Sequence, residues 1–207
     1  MSEYFEYGYT NSEPTWSHHY IFDKIIEALD KNINKCILDI GCGNGSLAYK
    51  LIELGFNVYG TDASEQGIKL AKEKYPDRFF LQDINSKLLP KELEQINFDT
   101  IISTEVIEHL YSPQSFIEFC KRILQKNGRG SLILTTPYHG YLKNLTMALL
   151  NKMDSHFTVN WEGGHIKFFS KKTLTELLIK NGFKDIIFIG CGRLPYLWKS
   201  MLIKGSL

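Results

Sequence analysis

The sequence predicts an α/β fold in which a doubly wound, mostly parallel sheet of seven strands is covered by helices on both faces. Three observations support this prediction. Short apolar runs alternate with amphipathic helical segments from about residue 18 onward. A glycine-rich turn joins the first run to the helix that follows it. The last two runs are separated by a loop too short for a crossover helix, which predicts one antiparallel strand at a sheet edge near the C-terminus.

The predicted elements follow one another in regular order, and turn residues mark several of their ends. Ser17 is suited to cap the first helix, Gly55 and Gly182 to stop two later helices, and Pro76 and Pro137 to end a helix and a strand. The predicted helices are 18–29, 46–54, 65–75, 113–125, 141–151 and 171–181, and the predicted strands are 36–40, 57–61, 79–81, 98–103, 130–136, 185–189 and 199–203.

The chain of 207 residues is predicted to form one domain, 1–207, because no linker or repeat divides it. Within it, 36–137 form the ligand-binding core, 138–164 an apolar insertion that recognises substrate, and 165–207 the C-terminal helix and strands. Residues 1–30 supply the first helix and an N-terminal lid. The lid is favoured because this segment is richer in aromatic residues than a disordered tail; they are Tyr4, Phe5, Tyr7, Tyr9, Trp16 and Tyr20.

Composition narrows the partners and the compartment. The 24 basic and 23 acidic residues nearly cancel, so nothing in the overall charge attracts nucleic acid. The four cysteines form no C-x-x-C pair and are interpreted as reduced thiols of a cytoplasmic protein. The sequence has no signal-peptide pattern and no apolar run of the roughly 18 residues that a membrane span needs. It leaves the oligomeric state open.

The glycine-rich turn predicts a nucleoside-like ligand at the end of the first strand. Gly41, Gly43 and Gly45 follow a strand and precede a helix, so that backbone N–H groups gather at a helix N-terminus. The spacing is G-x-G-x-G rather than the dinucleotide G-x-G-x-x-G, which disfavours a nicotinamide dehydrogenase. Asp39 would repel a diphosphate but can hold a cationic group. Asp62, after the second strand, is placed to accept hydrogen bonds from ribose hydroxyls.

Together these segments resemble class I S-adenosylmethionine-dependent methyltransferases. Residues 38–45 (LDIGCGNG) resemble the first motif of that family, 58–64 (VYGTDAS) the second, and Asp83 with Ile84 the pair that contacts adenine. The resemblance covers about 18–205 and implies a Rossmann-like sheet of seven strands with the last one antiparallel. It also implies S-adenosyl-L-methionine as cofactor, bound by Asp39, Gly41, Cys42, Gly43, Gly45, Asp62, Ala63, Asp83, Ile84 and Thr104.

A second group of polar residues follows the fourth predicted strand. If residues 105–109 begin a helical turn, Glu105, Glu108 and His109 lie on one face. Two carboxylates and an imidazole can hold a divalent cation such as Mg²⁺, and His165 could add a fourth ligand. These four residues are the predicted catalytic residues and also the candidate metal ligands. In the alternative interpretation they bind no metal, and His109 or Glu105 faces the substrate directly.

The second group resembles two branches of the family. One is the O-methyltransferases of ubiquinone biosynthesis; the other is the small-RNA 2′-O-methyltransferases, whose Glu-x-x-Glu-His segment and distant histidine bind magnesium. The predicted function is methyl transfer from S-adenosylmethionine to a hydroxyl oxygen of an aromatic, sugar or lipid-linked small molecule. A histidine of nearly neutral pKa, or a metal, would remove the hydroxyl proton. The alternatives are a metal-dependent RNA 2′-O-methyltransferase and a non-enzymatic cofactor-binding partner subunit.

Overall fold

A computed structural model describes residues 6–14, 17–157 and 159–207 of the chain. These residues form one seven-stranded sheet in the order β3-β2-β1-β4-β5-β7-β6. The sheet of seven strands and its mostly parallel character are therefore confirmed. The strands are β1 Cys36–Ile40, β2 Asn57–Asp62, β3 Phe79–Leu81, β4 Thr100–Thr104, β5 Ser131–Pro137, β6 Lys184–Cys191 and β7 Ser200–Ser206.

The helices lie where the apolar periodicity predicts them, with ends that differ by one or two residues. Ser170 caps the last helix in a capping box with Thr173, as two reciprocal side-chain bonds show. A short helix, Met153–Phe157, lies in a stretch of the insertion for which no helix was predicted. The helices are α1 His18–Ala28, α2 Ser46–Glu53, α3 Glu65–Lys74, α4 Pro113–Gln125, α5 Tyr141–Leu149, α6 Met153–Phe157 and α7 Lys171–Lys180.

The antiparallel strand is β7, but it does not lie at the edge of the sheet as predicted. It pairs antiparallel with β5 on one side and with β6 on the other, so β6 is the edge strand. The reason lies in burial: Met201, Leu202 and Ile203 are fully buried, whereas most of β6 is partly or fully exposed. A strand that is apolar on both faces is stable only inside the sheet.

Each face of the sheet has its own hydrophobic core. Helices α1, α2 and α3 cover one face through buried residues such as Ile25, Leu51 and Ile68. Helices α4 and α7 cover the other face, with Phe116 and Leu178 among the buried contacts. No helix in the described part of the chain is long and apolar enough to cross a membrane.

The strand order fixes where a ligand can bind. Strand β1 pairs parallel with β2 on one side and with β4 on the other. From β1 and β4 the chain therefore continues toward opposite edges of the sheet. The loops that follow these two strands turn to opposite faces and leave a gap between them. A crevice opens between them at the carboxyl ends of the strands. The predicted glycine turn and the predicted second group both follow these strands directly.

Candidate active site

One open cleft of about 1820 Å³ runs along the carboxyl ends of the strands. Its walls include Gly43 and Asp62 at one side and His109 and His165 at the other. The N-terminal segment contributes Tyr9. The structure thus brings the glycine turn and the second polar group, which are distant in sequence, into a single cleft.

The glycine turn is shaped by backbone hydrogen bonds to β2. The N–H groups of Gly41 and Cys42 both donate to the carbonyl of Thr61, at 2.7 and 3.0 Å. Gly41 has φ +80° and Gly43 φ +53°, conformations that residues with a Cβ rarely adopt. A Cβ at Gly41 would also clash with Val106, and one at Gly43 with the hydroxyl of Tyr9. The positive φ favours glycine at both positions, whereas the Tyr9 side chain can move away from a Cβ at Gly43.

Asp62 closes the turn at the end of β2. One carboxylate oxygen accepts the N–H of Gly43 at 2.7 Å and the other accepts the N–H of Ser64 at 2.8 Å. Burial raises the pKa of Asp62, and these backbone hydrogen bonds oppose the rise. Each carboxylate oxygen can accept more than one hydrogen bond, so Asp62 has lone pairs left for ribose hydroxyls in the cleft.

Asp39 lies beneath the turn and is almost completely buried, at 1% exposure. Neither of its carboxylate oxygens has a hydrogen-bond partner among the described residues. Burial, with a smaller contribution from the charge of Asp62, raises the pKa of Asp39 to about 8. A buried carboxyl group without partners is costly to keep. Burial without partners therefore keeps the carboxyl group of Asp39 mainly protonated at neutral pH.

Five more of the predicted cofactor residues also lie at the wall of the cleft. Cys42, Ala63, Ile84 and Thr104 line the cleft, and so does Asp83. The carboxylate of Asp83 also caps a short 3₁₀ turn by accepting the N–H of Asn85 at 2.9 Å.

Gly45 has a packing role instead. A Cβ at Gly45 would lie 2.9 Å from the Cβ of Ala71 and 3.1 Å from the ring of Phe79. This glycine therefore lets the start of α2 pack closely against α3 and β3. Gly45 and the buried Asp39 do not form part of the cleft wall.

The N-terminal segment lies against the glycine turn. The side-chain amide of Asn44 donates to the backbone carbonyls of Asn11 and Glu13, both at 2.8 Å. Glu6 makes a short hydrogen bond with Ser64. Tyr7, Tyr9 and Tyr20 of the predicted lid line the cleft, whereas Tyr4, Phe5 and Trp16 lie outside the described residues.

Glu108, His109 and His165 form a compact cluster at the other side of the cleft. One potential ligand atom from each lies within 4.8 Å of the others. Glu108 is fully buried, and within the described ranges neither of its carboxyl oxygens has a hydrogen-bond partner. Its Oε1 lies 4.0 Å from Nε2 of His165. Burial, and then the neighbouring Glu105, raise the pKa of Glu108 well above its usual range.

Backbone contacts hold this cluster together. The N–H groups of Ile166 and Lys167 both donate to the carbonyl of Glu108 at 2.9 Å, which joins the distant segment 163–168 to the end of β4. Nδ1 of His109 lies 2.8 Å from the carbonyl of Gly163. Because a carbonyl can only accept, Nδ1 carries the proton and Nε2 keeps its lone pair.

Both histidines of the cluster are neutral at pH 7. Burial lowers the pKa of His109. Burial and the neighbouring His109, His156 and Lys143 lower the pKa of His165 to about 4. Two neutral imidazoles cannot balance the charge of an ionised Glu108, but they are in the state that a metal ion requires. The cluster is therefore suited to a cation or to an acid–base role.

Glu105 lies apart from this cluster. It has φ +54°, and the turn that follows is a 3₁₀ helix, Ile107–His109, that begins after it. The expected single helical face of Glu105, Glu108 and His109 is therefore not formed. The hydroxyls of Ser200 and Thr135 both donate to Oε1 of Glu105, at 2.6 and 3.0 Å. Oε2 accepts no hydrogen bond from the described residues and Glu105 lines the cleft.

Sequence reasoning missed several residues of the insertion and of the β6–β7 loop. His139 follows the end of β5, and Lys143 lies in the first turn of α5; both line the cleft, as do His156 and Arg193. Two signals were available. His139 follows the carboxyl end of a parallel strand, and Lys143 is a lone charge between Leu142 and Leu145 of an apolar helix.

A seven-stranded sheet with an antiparallel β7 between β5 and β6, and a glycine turn after β1, is typical of Rossmann-like methyltransferases. A methyltransferase-domain family model matches residues 15–186. The ubiquinone biosynthesis O-methyltransferase of Dinoroseobacter shibae is 31% identical over 157 residues, which cover 72% of this chain and 60% of that protein. The mitochondrial enzyme of the same name from Homo sapiens is 30% identical over 165 residues, 74% of this chain and 42% of that protein. The chain belongs to the S-adenosylmethionine-dependent methyltransferase family.

Solved structures show the same fold. Magnesium protoporphyrin IX methyltransferase from Synechocystis PCC 6803, with bound SAH, superposes with a TM-score of 0.68 at 21% identity, covering 97% of this chain and 90% of that one. The methyltransferase domain of bacterial CtHen1-CN gives 0.62 at 19% identity, covering 90% and 97%. The chain spans 60% or less of the length of the two O-methyltransferases named above.

Proposed function

We propose that this chain transfers the methyl group of S-adenosylmethionine to a hydroxyl oxygen of a small aromatic, sugar or lipid-linked acceptor. The continuous cleft that joins the glycine turn to His109 and His165 carries the proposal. We call the side formed by the glycine turn, Asp62 and Asp83 the donor end. The side formed by the Glu108–His109–His165 cluster and residues 138–168 is the acceptor end. Thr104, at the end of β4, lies between them in sequence and lines the same cleft.

The residues of the donor end fit S-adenosylmethionine. Asp39 does not line the cleft, but it lies at the end of β1 directly before the glycine turn, so the charge of the donor's cationic amino-acid part would act on its buried carboxyl group through that turn. Asp62 would accept ribose hydroxyls, while Asp83 and Ile84 would meet the exocyclic amine and the ring of adenine. The donor supplies an already activated methyl carbon, so the main task of the protein is to align donor and acceptor.

The acceptor hydroxyl must lose its proton, and two groups of this chain support that step. His109 offers the lone pair of Nε2 because Nδ1–H is held by the carbonyl of Gly163. Glu108, His109 and His165 would also hold a divalent cation, which would lower the pKa of the hydroxyl and orient it. One carboxylate and two imidazoles suit Mn²⁺ or Zn²⁺ better than Mg²⁺, which prefers oxygen ligands. Oε2 of Glu105 remains available to the acceptor or to such a cation.

The proposal is tested first by calorimetric titration with S-adenosylhomocysteine. We expect a dissociation constant on the order of micromolar. Absence of binding up to about millimolar concentration would refute the donor assignment.

Methyl transfer is then measured by mass spectrometry with 4-alkylcatechols of increasing chain length, in the presence of EDTA or of Mn²⁺, Zn²⁺ or Mg²⁺. Methylated catechol supports the proposal, and loss of product in EDTA supports the cation. Product from an RNA oligonucleotide but from none of the catechols would instead favour the RNA 2′-O-methyltransferase. Cofactor binding without any product would favour the non-enzymatic partner subunit.

A further inference from the structure

The acceptor end of the cleft contains two cationic side chains that have no acidic partner. Lys143, in the first turn of α5, is only 5% exposed, and its Nζ donates to the backbone carbonyl of Lys199 at 3.2 Å. Arg193 lies exposed in the β6–β7 loop at the wall of the same cleft. In the described part of the chain, neither Lys143 nor Arg193 lies within 4.0 Å of a carboxylate. A buried lysine normally has such a partner.

The ionisable groups around Lys143 are mostly basic. Burial, and then the charge of Arg193, lower the pKa of Lys143 to about 8, while Glu105 opposes this effect. Burial and the charge of Lys143 lower the pKa of His139 to about 4 and also lower that of His156. Glu105 is the one acidic group among those that influence Lys143. Because both histidines are neutral at pH 7, the positive charge of this part of the cleft comes from Lys143 and Arg193, with Glu105 opposing it.

The position of Lys143 is close to where the acceptor must react. Its hydrogen-bond partner, the carbonyl of Lys199, belongs to the residue before Ser200, and Ser200 donates to Glu105 at the end of β4. An aromatic wall lies beside it. The ring of Phe157 is 5.9 Å from that of His139 and 4.9 Å from that of Phe168. A planar acceptor that packs on this wall would reach both the cations and the reacting centre.

We propose that the methyl acceptor carries an anionic group, a carboxylate or a phosphate, that is bound by Lys143 and Arg193. The two residues divide the task by their chemistry. Lys143 supplies a desolvated point charge, and the exposed guanidinium of Arg193 closes over the anion with two parallel hydrogen bonds. The anion replaces the missing acidic partner of both side chains. This inference rests on the proposed function, because it assigns a chemical feature to that acceptor.

Binding is measured by calorimetry with enzyme saturated with S-adenosylhomocysteine, so that no turnover is needed. The first probe pair is 3,4-dihydroxybenzoate and its methyl ester; the second is 3,4-dihydroxybenzylphosphonate and its dimethyl ester. We expect at least one of the two acids to bind about tenfold or more tightly than its ester. The acid with the larger ratio identifies carboxylate or phosphate as the group. If neither acid binds more tightly than its ester, the proposal is wrong.

Three variants locate the effect. Lys143→Met and Arg193→Gln should each remove most of the preference for the acid and leave the affinity for the ester and for S-adenosylhomocysteine unchanged. Arg129→Gln, an exposed arginine before β5, is the matched control and should leave the preference intact. Arg193 is exposed, so its replacement does not endanger folding if Lys143→Met does. Equal loss of acid and ester binding in both variants would overturn the proposal. If the unmodified protein does not bind S-adenosylhomocysteine at all, the proposed function itself is overturned.

Discussion

The two ends of the cleft differ in how their polar groups are satisfied. At the donor end, Asp62 accepts two backbone N–H groups and the glycine turn is tied to Thr61 by two more. At the acceptor end, Glu108 is fully buried and no described residue makes a hydrogen bond of good geometry to its carboxyl oxygens; its own N–H and the Thr136 side chain only partly oppose the rise of its pKa. The donor end is built from loops of a few residues. The acceptor end is assembled from segments that lie more than fifty residues apart, as the bond between His109 and Gly163 shows.

This difference shows which polar groups at each end already have partners within the protein and which do not. The hydrogen bonds of the donor end shape the loop without a ligand, and Asp39 is the exception because its buried carboxyl oxygens have no partner among the described residues. The acceptor end has a rigid frame, because Ile166 and Lys167 fix the Glu108 backbone. Within the described residues, however, the Glu108 carboxyl oxygens have no hydrogen-bond partner, and no carboxylate lies within 4.0 Å of Lys143 or Arg193. We therefore expect substitutions at the acceptor end to affect catalysis and ion binding, and substitutions at the donor end to affect cofactor affinity.

The largest effect is expected for Glu108→Gln. The substitution keeps the shape but removes the carboxyl group that can ionise to bind a cation or take a proton, so methyl transfer should fall on the order of a hundredfold or more, measured as kcat. The affinity for S-adenosylhomocysteine should stay unchanged, since Glu108 is absent from the donor end. Thermal unfolding adds a readout that does not depend on activity. Mn²⁺ or Zn²⁺ should raise the Tm of the unmodified protein and not that of the variant.

The matched control for that prediction is Glu118→Gln, an exposed glutamate on α4. It should keep both the activity and the rise of Tm with the cation. If Glu108→Gln retains full activity, Glu108 has no role in methyl transfer and the assignment of the acceptor end is wrong.

The second effect is at the donor end. Asp62→Ala removes the acceptor of the Gly43 and Ser64 N–H groups as well as the proposed ribose contact. Charge-assisted hydrogen bonds contribute about 1.5–3 kcal/mol each, so the affinity for S-adenosylhomocysteine should fall by about tenfold to a hundredfold. KM for the donor should rise in proportion, and the Tm response to the cation should persist. Equal affinity in the variant would show that Asp62 only shapes the loop.

The third effect is a pH dependence that comes from Asp39, whose pKa is raised to about 8 by burial and by Asp62. A raised acid pKa means that the free protein loses stability as pH rises from the unfolded value, about 4, toward 8. A cationic ligand favours the ionised form, so the affinity for S-adenosylhomocysteine should increase by up to about tenfold per unit between about pH 6 and 8.

Titration in buffers of different ionisation enthalpy checks this directly. Binding at pH 7 should release a proton in the unmodified protein and not in Asp39→Asn. An unchanged affinity over this range would show that Asp39 does not sense the ligand charge.

The smallest effect concerns the N-terminal segment. Asn44→Asp cannot donate to the carbonyls of Asn11 and Glu13, and it places a carboxylate beside them. Residues 6–14 should then detach more often from the glycine turn, which hydrogen exchange of their amides would detect as faster exchange. S-adenosylhomocysteine should dissociate a few-fold faster if this segment covers the donor end. Faster exchange without faster dissociation would show that this segment does not act as a lid over the cofactor.

The sequence by itself determined most of the fold and the local shape of the glycine turn. Strand and helix periodicity located the seven strands, and glycines such as Gly55 and Gly182 marked helix ends. The glycine turn was predictable because short-range geometry decides it: positive φ at Gly41 and Gly43 is a local requirement, and Asp62 follows the next strand at a fixed distance. These features depend on neighbours in sequence or on adjacent parallel strands.

Only the tertiary structure decided the acceptor end and the order of the last strands. The sequence placed Glu105 with Glu108 and His109, but the 3₁₀ turn separates it and directs it to Ser200 and Thr135. Likewise, the sequence indicated an antiparallel β7 without showing that it lies between β5 and β6. Lys143 and Arg193 became neighbours of one cleft only through the insertion and the β6–β7 loop. Their positions follow from packing between distant segments, which leaves no local pattern in the sequence.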